Sequence, residues 1–562
     1  MMINKFLNLI YDYHFCYATS IPVNNLFFVV MIILESLSKS FGSRTLFENV
    51  NISFNEGNRY GLTGPNGSGK STLLKIIMGM EKASSGNVIL PDRVGILRQN
   101  IEDYQETRII DAVIMGNYRL WQALEERDLL YEKEMDDEVG LRLGDLEEII
   151  LEENGYSAES DAEVLLQGMS ISPDHYENKM ASIPLDLQFR VLLCQSLFGN
   201  PQALLLDEPT NHLDMESIAW LENFLSQYKG VLVVVSHDRH FLNSITNFIA
   251  DIDYETVIIY PGNYDDMIFA KTSMRSSEEN ELRSKEKKIA KLKDFVSKFR
   301  AGTRASQVQS RIREINRLQP QELKKSNIQR PYIRFIPSDK QSGKIVFKVE
   351  DINKSYEQGK PVIKDFSMEI HRGDKIGVIG NNGRGKTTLL KMLADALHYD
   401  NGSIEKGHQV QVSYFPQNHS DIISENETIQ AFEWLRKKKT GLYDQDIRSA
   451  MGKMLFSGDD AFKEVNKLSG GETARLIFAG MMLEEHNVLI LDEPNNHLDL
   501  EAVSALSWAL EEYKGTCIVA SHNRDLLESV ADKIIAFEGD SIIFHEGDLK
   551  EYLSHKQPSL KT

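Results

Sequence analysis

Cysteine is scarce in this chain. Only three occur in 562 residues, Cys16, Cys194 and Cys517, and none forms a CxxC pair. That excludes a disulfide framework, a zinc knuckle and a cluster site, and it fits a reducing compartment, so a cytoplasmic location is expected. No run of about 18–20 apolar residues is present, so no transmembrane helix and no membrane partner are expected. Positive charge is in deficit: 63 Lys and Arg face 83 Asp and Glu, a net −20. A surface that coats nucleic acid throughout is thereby disfavoured, although a local basic patch is not.

With 41% hydrophobic and 26% charged residues the chain reads as globular, and its length exceeds what one core fills. Residues 1–30 carry Phe6, Leu7, Phe15, Leu26, Phe27 and Phe28, broken by Asn8, Asp12, His14, Pro22 and Asn24. A signal peptide needs an unbroken apolar stretch, so this segment reads instead as a leader outside the fold, with Met31 as the natural start.

The chain repeats itself. LLLDEPTNHLDMES at 204–217 returns as LILDEPNNHLDLEA at 489–502, and each lies downstream of a glycine-rich loop, GPNGSGKST at 64–72 and GNNGRGKTT at 380–388. The loops lie 316 residues apart (64 to 380) and Gln99 and Gln417 lie 318 apart. The DE pairs lie 285 apart (207 to 492), as do His237 and His522. The first half therefore holds 33 extra residues (318 less 285), placed around 116–155. That stretch has thirteen acidic and four basic residues, with apolar residues at helical spacing (Leu120, Leu124, Leu129, Leu130; Leu141, Leu146, Ile149, Ile150), and predicts a helical hairpin or arm.

Between the halves, residues 283–334 hold sixteen basic and four acidic residues, a local +12. Leu282, Ile289 and Val296 repeat every seven residues, and Ile312, Ile315 and Leu318 make a second stripe beyond AGTRASQ at 301–307. Two antiparallel helices with a basic tip are expected. The layout read from the sequence is an α/β first cassette at 31–271, a basic linker at 272–340, a second cassette at 341–555 and a tail at 556–562.

The loops match G-x4-G-K-[ST] and sit between an apolar strand and an apolar helix. In the first, Gly64, Pro65, Asn66, Gly67, Ser68, Gly69, Lys70, Ser71 and Thr72 are candidate nucleotide-binding residues. In the second they are Gly380, Asn381, Asn382, Gly383, Arg384, Gly385, Lys386, Thr387 and Thr388. Glycines let backbone N–H groups converge on phosphate oxygens, and the lysine reaches the β- and γ-phosphates. Ser71, Thr387, Gln99, Gln417, Asp207 and Asp492 are candidate Mg²⁺ ligands, directly or through water. Glu208 and Glu493 follow the acidic strand ends and suit a general base. His237 and His522 end the next strand and suit contact with the γ-phosphate. Phe41 and Tyr356, 23 and 24 residues before their loops, either stack on the nucleotide base or are ordinary core aromatics. The loops alone leave ATP and GTP both open.

On these motifs, over roughly 31–555, the chain resembles the ATP-binding cassette superfamily, and its soluble twin-cassette ABC-F branch in particular. DEPTNHLD and DEPNNHLD, an insertion in the first cassette and a charged helical linker are that branch's marks. The resemblance implies two ABC ATPase domains in one chain that clamp ATP and Mg²⁺ between them, a monomer with an internal cassette dimer. It also implies binding at the ribosomal E site, with the linker directed towards rRNA, the P-site tRNA and the peptidyl-transferase centre. The acidic arm could not favour RNA and would suit a basic ribosomal protein.

One departure stands out. The family's signature loop is present in the second half as Leu468-Ser469-Gly470-Gly471-Glu472, but the 285 offset puts Ile183, Pro184, Leu185, Asp186 and Leu187 in the first. Arg190 aligns with Arg475, which secures the register. Proline has no N–H to donate, leucine adds bulk, and aspartate brings negative charge near phosphate. The two composite sites are expected to be unequal, the first hydrolytic and the second binding ATP with slow hydrolysis. Arg384 and Asn495 are smaller departures. Other readings are an antibiotic-resistance factor that protects ribosomes, or the ATPase subunit of a membrane pump, which leaves the basic linker without a reason. A DNA-repair or chromosome-organising ATPase usually carries zinc modules or very long coiled coils, and neither is present.

Overall fold

The computed structural model describes residues 31–556 apart from 43, 66, 99, 134–135, 212, 300–304, 318–329, 358–359, 425–426, 439–440, 442, 497 and 540. The expected leader at 1–30, residues 557–562 of the expected tail, and the candidate site residues Asn66 and Gln99 lie outside the described residues.

Each half is built on a six-stranded sheet. In the first, the spatial order is Val94–Ile96, Ala203–Asp207, Val231–Val235, Arg59–Thr63, Phe248–Asp253, Thr256–Pro261. In the second it is Val412–Phe415, Val488–Asp492, Thr516–Ala520, Lys375–Gly380, Lys533–Glu538, Ser541–Glu546. All neighbours run parallel except the last pair. Short apolar runs such as LLL and VLVVV serve this arrangement because a parallel strand is covered on both faces. Alternate side chains leave each strand on opposite sides. Leu204 and Leu206 enter a helical core, whereas Ala203 and Leu205 enter a core shared with the antiparallel strands Met31–Phe41 and Arg44–Asn55. Leu489 and Leu491 part from Val488 and Ile490 in the same way.

The acidic insertion forms two helices, Tyr118–Tyr131 and Asp137–Glu152, whose N-termini are capped by Asn117 and Asp136. Leu120, Ala123, Leu130, Leu143, Leu146 and Ile150 form the buried seam, and Arg142 joins the helices through a two-pronged ion pair with Glu126 at 2.7 Å. Leu129 and Leu141, counted in the expected apolar pattern, are instead 58% and 75% exposed. At about 100° per residue both fall opposite the seam, so spacing alone overstated the stripe.

The linker is entered by one 36-residue helix, Tyr264–Phe299, so the expected cassette end at 271 lies inside a helix. A second helix, Ala305–Arg317, packs on it, with Lys288 and Glu314 paired at 3.3 Å. The returning chain is anchored before the expected boundary at 341. Ile333 and Phe335 are buried in the second cassette's core, and Ile336–Pro337 pairs in parallel with Glu485–His486.

The halves face one another through equivalent residues. Met215 packs on the second cassette beside Ile379 and Leu527, and Leu500, its counterpart 285 residues on, packs on the first cassette's core.

Candidate nucleotide sites between the cassettes

Both phosphate loops join a central strand to an eight-residue helix, Lys70–Ile77 or Lys386–Leu393. Gly64 and Gly380 have φ of +142° and +143°, and Gly69 and Gly385 have +102° and +106°. A side chain at Gly64 would meet the Ile252 carbonyl at 2.7 Å, so glycine is required there on both counts. Neither helix has a side-chain cap, which leaves its first N–H groups directed at the loop, as an anion site needs. Lys70 donates to the Gly64 carbonyl at 2.7 Å and Lys386 to the Gly380 carbonyl at 2.6 Å. Burial pulls both lysines below their usual range, and the nearby carboxylates oppose it. An incoming phosphate would supply the counter-charge that the carbonyls only partly provide.

The donor sets fit Mg²⁺. Asp492 is 1% exposed and neither of its carboxylate oxygens has a hydrogen-bond partner in the protein. Thr387 Oγ1 lies 3.3 Å from Gln417 Oε1, and with Asp492 these are hard oxygen ligands that leave room for water and phosphate. Burial raises the Asp207 and Asp492 carboxyls to about 6.

Glu208 and Glu493 follow at φ +52° and +47°, left-handed values that turn each carboxylate off the strand end. Glu208 Oε2 accepts the His237 backbone N–H at 3.1 Å, and Oε1 lies 3.2 Å from His237 Nε2. Burial raises Glu208 to about 7 and lifts Glu493 well above the carboxylate range. A base poised near neutrality suits removal of a proton from water. His522 Nε2 lies 2.9 Å from Asn382 Oδ1 and 3.1 Å from Lys386 Nζ, and burial followed by the lysine's charge depresses the imidazole to about 3. It is therefore neutral.

Many of these groups line one cavity of about 1820 Å³ whose wall comes from both halves. Pro65, Gly67, Ser68, Glu208 and His237 share it with Ser469, Gly470 and Gly471 of the second cassette. Lys386, Thr387, Thr388, Gln417, Glu493 and His522 share it with Leu185 and Asp186 of the first. Ser469 caps the helix Gly470–Leu483 in a reciprocal box with Glu472, which presents that helix's N-terminus to the cavity. The equivalent helix Leu185–Leu197 begins after Pro184 with no side-chain cap, and Leu185 is 64% exposed. Tyr356 is on the cavity wall with its hydroxyl 3.1 Å from Thr388 Oγ1, whereas Phe41 lies off the wall beside Lys39. Arg384 is drawn to the Gly539 carbonyl. Asn495 accepts from Ser521 at 2.6 Å where the first half pairs Thr210 with Ser236 at 3.2 Å, so that exchange keeps the loop's bond.

Sequence reasoning gave no role to two residues that matter here. Asp214 and Asp499 cap the helices after the DE loops, and Asp499 reaches the cavity. Asp214 also holds Arg190 at 3.0 Å with both side chains almost fully buried, while Arg475, the counterpart of Arg190, lies over the Phe456 ring instead. The recurrence of both aspartates in the HLD triplets was the available signal.

A family model described as "ABC transporter" matches residues 47–211 and 363–496, and a second with the same description matches 250–335. The chain is 40% identical over 531 residues to "Probable ATP-binding protein YbiT" of Escherichia coli O157:H7, covering 94% of this chain and 99% of the relative. It is 33% identical over 527 residues to "Energy-dependent translational throttle protein EttA" of E. coli K12, covering 92% and 94%. Among solved structures, an archaeal ribosome recycling factor, aABCE1, in complex with the ribosomal stalk protein aP1 superposes with a TM-score of 0.59 at 19% identity, covering 93% of this chain and 92% of that one. With paired phosphate loops, a cavity walled by both halves and relatives alike over nearly their full length, the chain belongs to the ABC-F subfamily of ATP-binding cassette proteins.

Proposed function

We propose that this protein is an ATP-hydrolysing translation factor that binds the ribosome, at the E site by family resemblance, when two ATP molecules clamp its cassettes together, and leaves when one is hydrolysed. The observation that carries the reading is the shared cavity, whose wall includes residues of both phosphate loops and the starts of the helices Leu185–Leu197 and Gly470–Leu483, so nucleotide held by one cassette can be completed by the other. In the first composite site Glu208 orients and deprotonates water, the imidazole of His237 faces the γ-phosphate, and Ser469–Gly471 supply donors. Ser71 and Asp207 in one site, and Thr387, Gln417 and Asp492 in the other, would hold Mg²⁺, which would supply neutralisation of phosphate charge. In the second site the segment Pro184–Asp186 offers a proline and a carboxylate where donors are needed, so ATP is held and hydrolysed slowly.

The +12 linker segment 283–334 supplies contact with rRNA and P-site tRNA through phosphate neutralisation, and the acidic arm suits a basic ribosomal protein. The name of the relative EttA, a translational throttle, supports the same direction. No helix among the described residues is long and apolar enough to cross a membrane. The test is sedimentation with purified bacterial ribosomes of the Glu208→Gln, Glu493→Gln double variant. ATP should trap it on ribosomes; equal sedimentation with and without ATP would overturn the reading.

A further inference from the structure

The chain must pass twice between cassettes and linker, and both crossings lie beside the first composite site. On the way out, the long helix Tyr264–Phe299 places Lys271 Nζ 2.5 Å from Asp251 and 2.6 Å from Asp253, and those carboxylates are 3% and 0% exposed. Asp251 is directly opposite Thr63 in the parallel strand pair and accepts its hydroxyl at 3.3 Å. Thr63 is the last residue before the loop at Gly64, and Gly64 itself packs on the Ile252 carbonyl. Tyr264, Met267 and Lys271 of the helix line a small cavity with Gly64, Lys70 and Asp499. On the way back, Arg330 is ion-paired with Glu501, two residues after Asp499 and in the first turn of the helix Leu500–Glu512.

The strand pair beside the second phosphate loop is built differently. It sets Ile379 against Ala536 where the first sets Thr63 against Asp251, so the acid is missing. Glu216, the counterpart of Glu501, accepts a hydrogen bond from Asn381 of the second phosphate loop.

We propose that Lys271 and Arg330 are positioning residues that couple the linker to the first composite site, so that what the linker touches sets the rate of hydrolysis there. Lys271 acts through Asp251 and Thr63 on the start of the phosphate loop, and Arg330 through Glu501 on the loop that carries Asp499. The inference rests on the reading that the linker meets the ribosome.

The test measures ATP hydrolysis by the full chain with and without purified bacterial ribosomes. Lys271→Met should lower stimulation by ribosomes about fivefold or more while the basal rate stays within about twofold, the scale of an ordinary coupling between sites. Lys271→Arg should restore it. The triple variant Asp251→Asn, Asp253→Asn, Lys271→Met removes the cluster without leaving an unpaired buried charge and should behave like Lys271→Met. Lys550→Met, on the second cassette's counterpart of the linker helix, should leave stimulation intact. Equal stimulation in the wild type and the triple variant, or a parallel fall in basal and stimulated rates, overturns the coupling. A wild type that ribosomes neither bind nor stimulate overturns the functional reading and the coupling together.

Discussion

Asn381 of the second phosphate loop donates a hydrogen bond to Glu216 of the first cassette across 3.3 Å. The same position in the first loop is Pro65, which has no side-chain donor, and Glu501 of the second cassette, the counterpart of Glu216, is engaged by Arg330. The two halves of one duplicated chain therefore hold their nucleotide loops by different means. Asn381→Ala should weaken ATP at the second site by less than about tenfold, the scale of one exposed hydrogen bond of roughly 0.5–1.5 kcal/mol. Titration with a fluorescent ATP analogue, comparing Lys70→Ala and Lys386→Ala backgrounds, reads it.

The degenerate segment gives a gain-of-function prediction. Replacing Pro184, Leu185, Asp186 and Leu187 by Ser, Gly, Gly and Glu returns N–H donors and removes a carboxylate from the wall shared with Lys386. In a Glu208→Gln background, ATP turnover should rise by about tenfold or more, since one positioned donor is worth ~10²–10³ at best. Unchanged turnover would mean that the second site is limited elsewhere.

Arg190 and Asp214 are 2% and 3% exposed, and the bond between them holds the helix Leu185–Leu197 to the loop after the DE pair. Breaking it by Arg190→Met should destabilise the first cassette by ~3–5 kcal/mol because a buried carboxylate is left unpaired. Burial alone would raise the Asp214 carboxyl, but Arg190 and the Ser217 donors outweigh it and hold the group below its usual range. A depressed folded value stabilises above the unfolded value and is lost as pH falls through the folded one. The contribution should therefore be whole at neutral pH and fade below about pH 4, near the unperturbed aspartate value. Thermal unfolding of wild type and variant across pH checks this: their midpoints should converge in acid.

Exposed linker cations give a salt test. Lys287, Lys291, Arg313 and Arg317 face solvent. Changing all four to Gln should weaken ribosome binding and flatten its dependence on salt, by ~0.7–0.9 in log–log slope for each phosphate no longer neutralised. Sedimentation across a potassium chloride series measures the slope; an unaltered slope would remove the linker from RNA contact.

The sheets, the glycine-rich loops and the acidic strand ends were legible from the sequence because backbone geometry demands particular residues there. Gly64 and Gly380 sit at φ values that glycine tolerates best, and buried parallel strands such as Val231–Val235 need apolar residues on both faces. The duplication doubled every such signal. What stayed hidden lacked a repeat or a local period. Thr63 and Asp251 have no like counterparts in the second half, where Ile379 and Ala536 stand, and they are brought together by strand pairing across 188 residues. The helix that enters the linker starts at Tyr264, before the charge pattern changes, so composition carries no mark of where that helix begins. Leu129 and Leu141 show the converse error, apolar residues that a two-helix seam was too narrow to bury.

The most direct test of unequal sites is single-turnover ATP hydrolysis by Glu208→Gln and Glu493→Gln compared with the wild type. Loss of a general base at the working site should lower the rate by ~10²–10⁴ for Glu208→Gln. Glu493→Gln should stay within about threefold if, as proposed, its site turns over slowly for want of donors at Pro184–Asp186. Comparable losses in the two variants would contradict the account.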